Sequence, residues 1–370
     1  MSRLVLVVVL LTACGAVAPK AAIATPSPQA SPSPTLTRSD FLAIVGGPKN
    51  TAVSLVASDG TVIATAPVDL PTFWMHALMS WTSASRTRLY YLDGSEVRFL
   101  APDGSTGLAT KIAFGPTEQA GFAVSPDDAS IAVSVFSYTQ ASGPPSSATY
   151  KGMRSYVEDL HGGGHHVDIF SSTTVAEFPV GWTGGRLILA VSEPKCCKAL
   201  TVNPYDATSY HVVDPATGTR LASLCNNTQG PEGPIEPIGA TCYPFPYGAP
   251  IYQRWDGSRF DSPAAVPDPS PLNAVSPDGT RIAGSPCCYN GNALALFGPR
   301  GQWVWLHQTG YVMGWLDAHH IVIQPVDSPA ISVIEVGQGP TELDEIWSIR
   351  SNTEIAPGGS YLGTFPAAVT

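Results

Sequence analysis

Seven cysteines are the most reactive side chains in this 370-residue chain. Cys14 stands apart from the rest, directly after Leu11-Thr12-Ala13 and a short apolar run that begins at Leu4. A thiol placed there is a nucleophile available for covalent modification. The other six, Cys196, Cys197, Cys225, Cys242, Cys287 and Cys288, fall in one stretch. Their number is even, and in an exported chain that predicts disulfides, whose pairing sequence alone does not select. Two adjacent pairs occur, Lys195-Cys196-Cys197-Lys198 and Pro286-Cys287-Cys288-Tyr289. Neighbouring side chains on extended backbone point to opposite sides, and their Cα atoms sit closer than the usual disulfide span. Bonds to other cysteines are therefore expected, with Cys225 and Cys242, which lie between the pairs, as partners for both. The spacing fits no zinc pattern such as Cys-x-x-Cys, so no metal is assigned there.

The histidines and carboxylates offer less. His161-Gly-Gly-Gly-His165-His166 brings together three imidazoles, the weak metal candidates of the chain. Strand-like runs at 153–160 and 167–171 flank the glycines, which predicts a glycine-rich hairpin turn instead. The His-Gly-Gly-Gly run is similar to the oxyanion loop of some esterases. That chemistry needs a Gly-x-Ser-x-Gly elbow, which the chain lacks. His319 and His320 fall in a turn and are expected to face solvent. Asp127 and Asp278 recur in one motif, where capping of a turn is the expected role. No catalytic residue, metal or cofactor is assigned. A net charge of −10 with no basic run argues against nucleic acid as a partner.

The segment around Cys14 defines a location. Arg3 precedes an apolar run too short to span a bilayer, with the order of a secretory signal. Leu11-Thr12-Ala13-Cys14 resembles the bacterial lipoprotein signal, which implies lipidation at Cys14 and residues 1–14 as a signal peptide ending at that cysteine. More than one acyl chain gives a lasting anchor. Residues 15–38 are rich in Ala, Pro and Ser and form no packed core, so they read as a disordered tether. The expected location is the extracytoplasmic face of a cell membrane.

Residues 39–370 must carry the fold. The chain is 44% hydrophobic and only 13% charged. Helical periodicity is almost absent. Short alternating or β-branched runs, separated by Asp-Gly, Gly-Gly and Pro-Asp turns, indicate an all-β protein. Val124-Ser125-Pro126-Asp127-Asp128 returns as Val275-Ser276-Pro277-Asp278-Gly279 and, weakened, as Ile355-Ala356-Pro357-Gly358-Gly359. A second motif, Gly181-Trp182, returns as Gly314-Trp315, and Ser80-Trp81 opens a longer version. The two motifs superpose as strand, tight turn, strand. The markers are then Trp81, Pro126, Trp182, Pro277, Trp315 and Pro357, and the one double-length gap leaves room for a degenerate repeat near 225–265. That makes seven repeats of the length of a four-stranded blade, with six as the alternative. After Pro357 only two strands fit, so residues 41–68 are expected to complete the last blade and close a ring.

These residues resemble the WD-repeat-like β-propellers of the TolB type, in which the Ser-Pro-Asp-Gly turn recurs in each blade. The resemblance implies a propeller over roughly 41–370 and binding to other proteins of the cell envelope. It implies no common catalytic residues. Trp81, Trp182 and Trp315 recur at equivalent places, which favours packing between blades. The expected function is a membrane-anchored extracytoplasmic module for protein or ligand binding or scaffolding. Its partners would be the membrane, through the lipid, and an envelope protein or small ligand. The alternative is an envelope hydrolase or lyase with its site at the mouth of the propeller channel.

Overall fold

The computed structural model describes residues 38–47, 51–69, 81–139, 150–192, 207–226, 238–243, 250–261, 274–284, 293–298, 303–338 and 347–365. These residues form strands and no helix. The first sheet begins with β1 (Leu42–Gly46), β2 (Ala52–Val56) and β3 (Val62–Pro67). The second runs β4 (Thr82–Ala84), β5 (Leu89–Asp93), β6 (Glu96–Leu100), β7 (Thr106–Lys111). The third runs β8 (Glu118–Val124), β9 (Ser130–Tyr138), β10 (Tyr150–Asp159), β11 (Val167–Ser172). The fourth runs β12 (Ala176–Thr183), β13 (Arg186–Ser192), β14 (Ser209–Val213), β15 (Arg220–Leu224). A three-stranded sheet follows, of β16 (Gly239–Cys242), β17 (Ile251–Arg254) and β18 (Arg259–Phe260). The last sheet has seven strands: β19 (Ala274–Val275), β20 (Ile282–Gly284), β21 (Ala293–Phe297), β22 (Trp303–Asp317), β23 (His320–Pro325), β24 (Ile331–Gln338) and β25 (Trp347–Ala356). Every pairing is antiparallel between consecutive strands, as short turns allow, with one exception.

The exception joins the ends of the chain. β26 (Ser360–Phe365) pairs antiparallel with β1, placing Phe365 opposite Leu42 and Ser360 opposite Gly46. Residues 41–68 and the segment after Pro357 thus share a sheet, as the markers suggest, but the segment after Pro357 supplies one strand and not two. The N-terminal segment supplies three strands and the C-terminal segment one. The turn at Pro357 does not join two strands of one blade. It links β25, the edge of the seven-stranded sheet, to β26 at the edge of the first sheet. A local turn motif reports a change of direction, and whether the next strand pairs with the preceding one is settled by distant residues.

Apolar side chains bind each sheet to its neighbour. Ile44 and Leu55 pack with Tyr90, Leu100, Phe122 and Ile131, which unites the first three sheets. Phe136, Phe178, Tyr210, Cys242 and Trp255 carry the contact from the third sheet through the fourth to the three-stranded one. Tyr252 then meets Val275, Ile282 and Phe297 of the seven-stranded sheet. Leu316 and Val333 of that sheet close on Ala43 and Val45 of the first. The succession returns to its start, giving a propeller-like all-β arrangement. Each fully buried Leu, Ile or Phe contributes about 1.5–3 kcal/mol to this packing.

Candidate functional site

The recurring turns explain how the ring is positioned. In 125–130, Ser125 Oγ donates to Asp127 Oδ1 at 2.6 Å, and Asp127 Oδ1 also accepts the Ala129 amide. The Ser130 amide returns to Ser125 Oγ. In 276–281 the pattern repeats: Ser276 Oγ and the Thr280 amide donate to Asp278 Oδ1, and the Arg281 amide donates to Ser276 Oγ. The Ser125 hydroxyl holds the Asp127 carboxyl below its ordinary range. Burial pushes Asp278 up, but the Ser276 and Thr280 hydrogen bonds outweigh it and the net shift is downward. Both aspartates are therefore consumed in capping their own turns, in separate sheets.

One position differs between the copies. Gly279 has φ +69°, and its counterpart Asp128 has φ +61°, a left-handed conformation that Asp tolerates better than most residues. Asp128 uses its side chain to accept hydrogen bonds from Tyr90 Oη (2.8 Å) and Thr87 Oγ1 on the second sheet. Burial, then the Asp128 carboxylate, raises the Tyr90 pKa and keeps that phenol a donor. The marker tryptophans also link sheets. Trp182 Nε1 donates to Ala123 O at 3.2 Å, and Trp315 Nε1 to Ala274 O at 3.0 Å. Each acceptor lies two residues before a Ser-Pro-Asp turn, so the two markers are complementary halves of one joint. Trp303 is 44% exposed and stands edge-on to Trp305 at 4.7 Å, outside that pattern.

A second recurring turn is hidden in the sequence because its residues read as generic loop chemistry. Asp59, Asp103, Asp214 and Asp256 each accept, through Oδ1, the amide two residues on. These turns join the last two strands of the first, second, fourth and three-stranded sheets.

The third sheet replaces that turn with the histidine-rich hairpin. β10 and β11 pair antiparallel, as the glycines predict. The three imidazoles do not converge. His161 Nδ1 lies 3.4 Å from Ala109 O on the second sheet, and His165 Nδ1 lies 2.8 Å from Asp159 Oδ2. His166 sits between two carboxylates, with Nδ1 3.3 Å from Glu158 Oε2 and Nε2 3.2 Å from Asp168 Oδ1. Its ring stacks on Tyr156 with centroids 4.8 Å apart. Glu158 first, and Asp168 with it, raise the His166 pKa. Among the described residues no three His, Cys, Asp or Glu side chains form a metal-ligand set.

Two buried histidine–carboxylate contacts carry no signal in the sequence. Glu177 on β12 is buried, and its Oε1 faces His211 Nδ1 at 3.0 Å and Arg220 Nη2 at 3.2 Å. The three residues come from three strands of the fourth sheet, so only strand pairing reveals them. His320 is a correction: it is 2% exposed, not solvent-facing, and its Nδ1 contacts both Asp317 oxygens at 2.9 Å. Burial raises the Asp317 pKa, but hydrogen bonds from His320 and Ser39 overcome it, for a net lowering. His319 is exposed, as expected.

Cys225 and Cys242 form a disulfide with each other, Cα atoms 5.0 Å apart. That corrects the expectation that they serve the adjacent cysteine pairs. Cys225 follows β15 and Cys242 ends β16, so folding sets two neighbouring sheets side by side at this point and the thiols meet there. Cys14, Cys196, Cys197, Cys287 and Cys288 lie outside the described residues, as do residues 15–37 of the tether.

No family model matches the chain, and no curated protein matches it. Among solved structures, TolB from Acinetobacter baumannii is similar at 13% identity over 71% of this chain and 62% of that one, with a TM-score of 0.39. An oligogalacturonate lyase in complex with manganese is similar at 9% identity over 76% and 86%, with a TM-score of 0.45. The dipeptidyl peptidase 4 of Porphyromonas gingivalis is similar at 10% identity over 82% and 48%, with a TM-score of 0.46. The chain thus spans less than two thirds of the first and less than half of the third. These likenesses are of strand arrangement, and no residue role is taken from them.

Proposed function

We propose that the chain is a lipid-anchored, extracytoplasmic β-propeller of seven blades that binds a protein or small ligand of the cell envelope. The observation that carries this reading is the order of three materials in one sequence: an apolar run ending in Leu11-Thr12-Ala13-Cys14, a Pro/Ser/Ala-rich tether, and a ring of sheets. A thioether-linked lipid at Cys14 holds the chain at the membrane, and the tether lets the ring present its loops away from the surface.

The count of seven is supported by the geometry of β22. Its first part pairs with β21 from Trp303 to Thr309, and its second with β23 from Gly310 to Asp317. A Cβ on Gly310 would lie 2.4 Å from Gln324 O, so the crossing between the halves requires a residue without one. The seven-stranded sheet then divides into two blades that share one continuous strand. The Asp256 turn aligns β17 and β18 with the third and fourth strands of other blades, which makes β16 a second strand. With the four other sheets this yields seven.

The test is Cys14→Ser. Fractionation should find the variant released from membranes or retained as uncleaved precursor, without lipid label. Unchanged labelling and membrane retention would sink the anchor. Capture of envelope components by the intact, detergent-solubilised protein, compared with its Cys14→Ser variant, then examines the binding role separately.

A further inference from the structure

We propose that His166 is a proton-operated clasp that fastens the hairpin between β10 and β11 in acid and releases it as pH rises. The geometry favours a proton. Both ring nitrogens face carboxylate oxygens within 3.3 Å, Glu158 on β10 and Asp168 on β11. A neutral imidazole has one N–H and one lone pair, so it satisfies one carboxylate and turns a lone pair toward the other. The imidazolium donates to both and ties the two strands of the hairpin together. Uptake of one proton at the ring is the whole chemical step.

The surroundings favour the charged form. Tyr156, stacked on the ring, offers its π face to a cation. Asp159 contacts His165 at the tip of the same hairpin. From the neighbouring sheets the hairpin meets the Ala109 carbonyl, through His161, and the turn at Gly218, where a Cβ would lie 3.2 Å from Asp168 O. Backbone approaches from that side, and the titratable groups that act on His166 are Glu158 and Asp168, with the Tyr156 phenol stacked on its ring. The folded pKa is raised, so the contribution is complete below the ordinary histidine value and is lost as pH climbs through the raised one. The first, second, fourth and three-stranded sheets close this position with a short aspartate-capped turn that contains no histidine, so the clasp belongs to the third sheet's hairpin.

The test uses the full chain labelled at histidine ring carbons and followed by NMR from acid to alkaline pH. His166 should titrate above the ordinary value of about 6.5, with Glu158→Gln and Asp168→Asn each lowering it and the double variant returning it to the ordinary range. Amide exchange at Asp159, whose N–H bonds to Gly164 O, should speed up about two- to fivefold beyond the intrinsic pH effect once the ring is neutral. Thermal melts confirm that the variants stay folded. An ordinary pKa in the unaltered chain, or one that neither single substitution moves, would overturn the clasp. Exchange that follows only the intrinsic pH dependence would overturn its mechanical consequence.

Discussion

The third sheet and the three-stranded sheet solve the same problem by different means. In the third, β9 and β10 are nine and ten residues long and pair along nearly their whole length. Residues Ile131 to Phe136 are buried without interruption, so both faces of that strand are packed. The three-stranded sheet has strands of four, four and two residues. Its ladder is too short to hold position through backbone hydrogen bonds alone. There the Cys225–Cys242 bond ties it to the fourth sheet, and Gln253 Oε1 accepts the Cys225 amide at 2.8 Å. Long ladders and dense packing make a covalent tie unnecessary. Where strands shorten, a disulfide supplies by restraint what the ladder does not.

The most severe way to strain this comparison is to remove a sheet built from both chain ends. Deleting residues 41–68 takes away β1, β2 and β3 and leaves β26 without its partner, so most of the stability should go. Deleting 15–36 should cost almost none. Thermal melts of the two deletions should differ widely, and equal melting temperatures would mean that the end-to-end sheet contributes little.

Next in size is the disulfide. Replacing both Cys225 and Cys242 by Ala should destabilise by about 3 kcal/mol, the expectation for a loop of this length. Hydrogen exchange should rise first in β16–β18 and hardly at all in β8–β11. Uniform loosening across both sheets would break the contrast between them.

A smaller effect is expected at the Trp joints. Trp315→Phe keeps an aromatic ring but leaves the buried Ala274 carbonyl without its donor, at a cost of about 1–3 kcal/mol. Trp182 is only partly buried, so Trp182→Phe should cost less. Denaturant melts of the two variants give the ranking, and the reverse order would show that water does not replace the lost donor at Trp182.

The smallest is electrostatic. Glu118, at the start of β8, accepts from Arg154 Nη1 at 2.7 Å, the Gly115 amide and Ser137 Oγ, and the Arg154 hydrogen bond leads in lowering its pKa to about 2. A depressed carboxylate contributes stability that is present above its unfolded pKa and lost as pH falls through the folded one. Stability should therefore decline below about pH 4.5 toward 2. Arg154 is half exposed, which screens the pair, so Glu118→Gln should cost about 1 kcal/mol at neutral pH and flatten part of the acid slope. Identical acid profiles for the two proteins would remove this contribution from the third sheet.

Turn chemistry was legible in the sequence because it is local. Ser125-Pro126-Asp127 and Ser276-Pro277-Asp278 satisfy their own hydrogen bonds within six residues, so the same words recur wherever the same turn recurs. The glycine-rich hairpin at 161–166 is legible for that reason. The all-β class follows from short alternating runs, and the spacing of the turns points to a repeat near 225–265, where the three-stranded sheet lies. The joints between sheets are only half legible. Trp182 and Trp315 announce themselves by recurrence, but their acceptors, Ala123 and Ala274, carry no side-chain signal because the bond is to backbone.

What the tertiary structure alone decided is which distant segments meet. The Pro357 turn has the marker's form, yet β26 turns from β25 to pair with β1, because pairing is set by what already flanks the free edge. Cys225 found Cys242 rather than an adjacent-pair cysteine because two sheets packed side by side brought those thiols together. His320 was buried by its pairing and by Asp317 although its turn looks exposed. Glu177, His211 and Arg220 come from three strands, and no spacing along the chain encodes their meeting. Amino-acid order determines each turn through short-range sterics and hydrogen bonds. Partner choice depends on the summed burial of many remote side chains, which becomes definite only when the ring of sheets has formed.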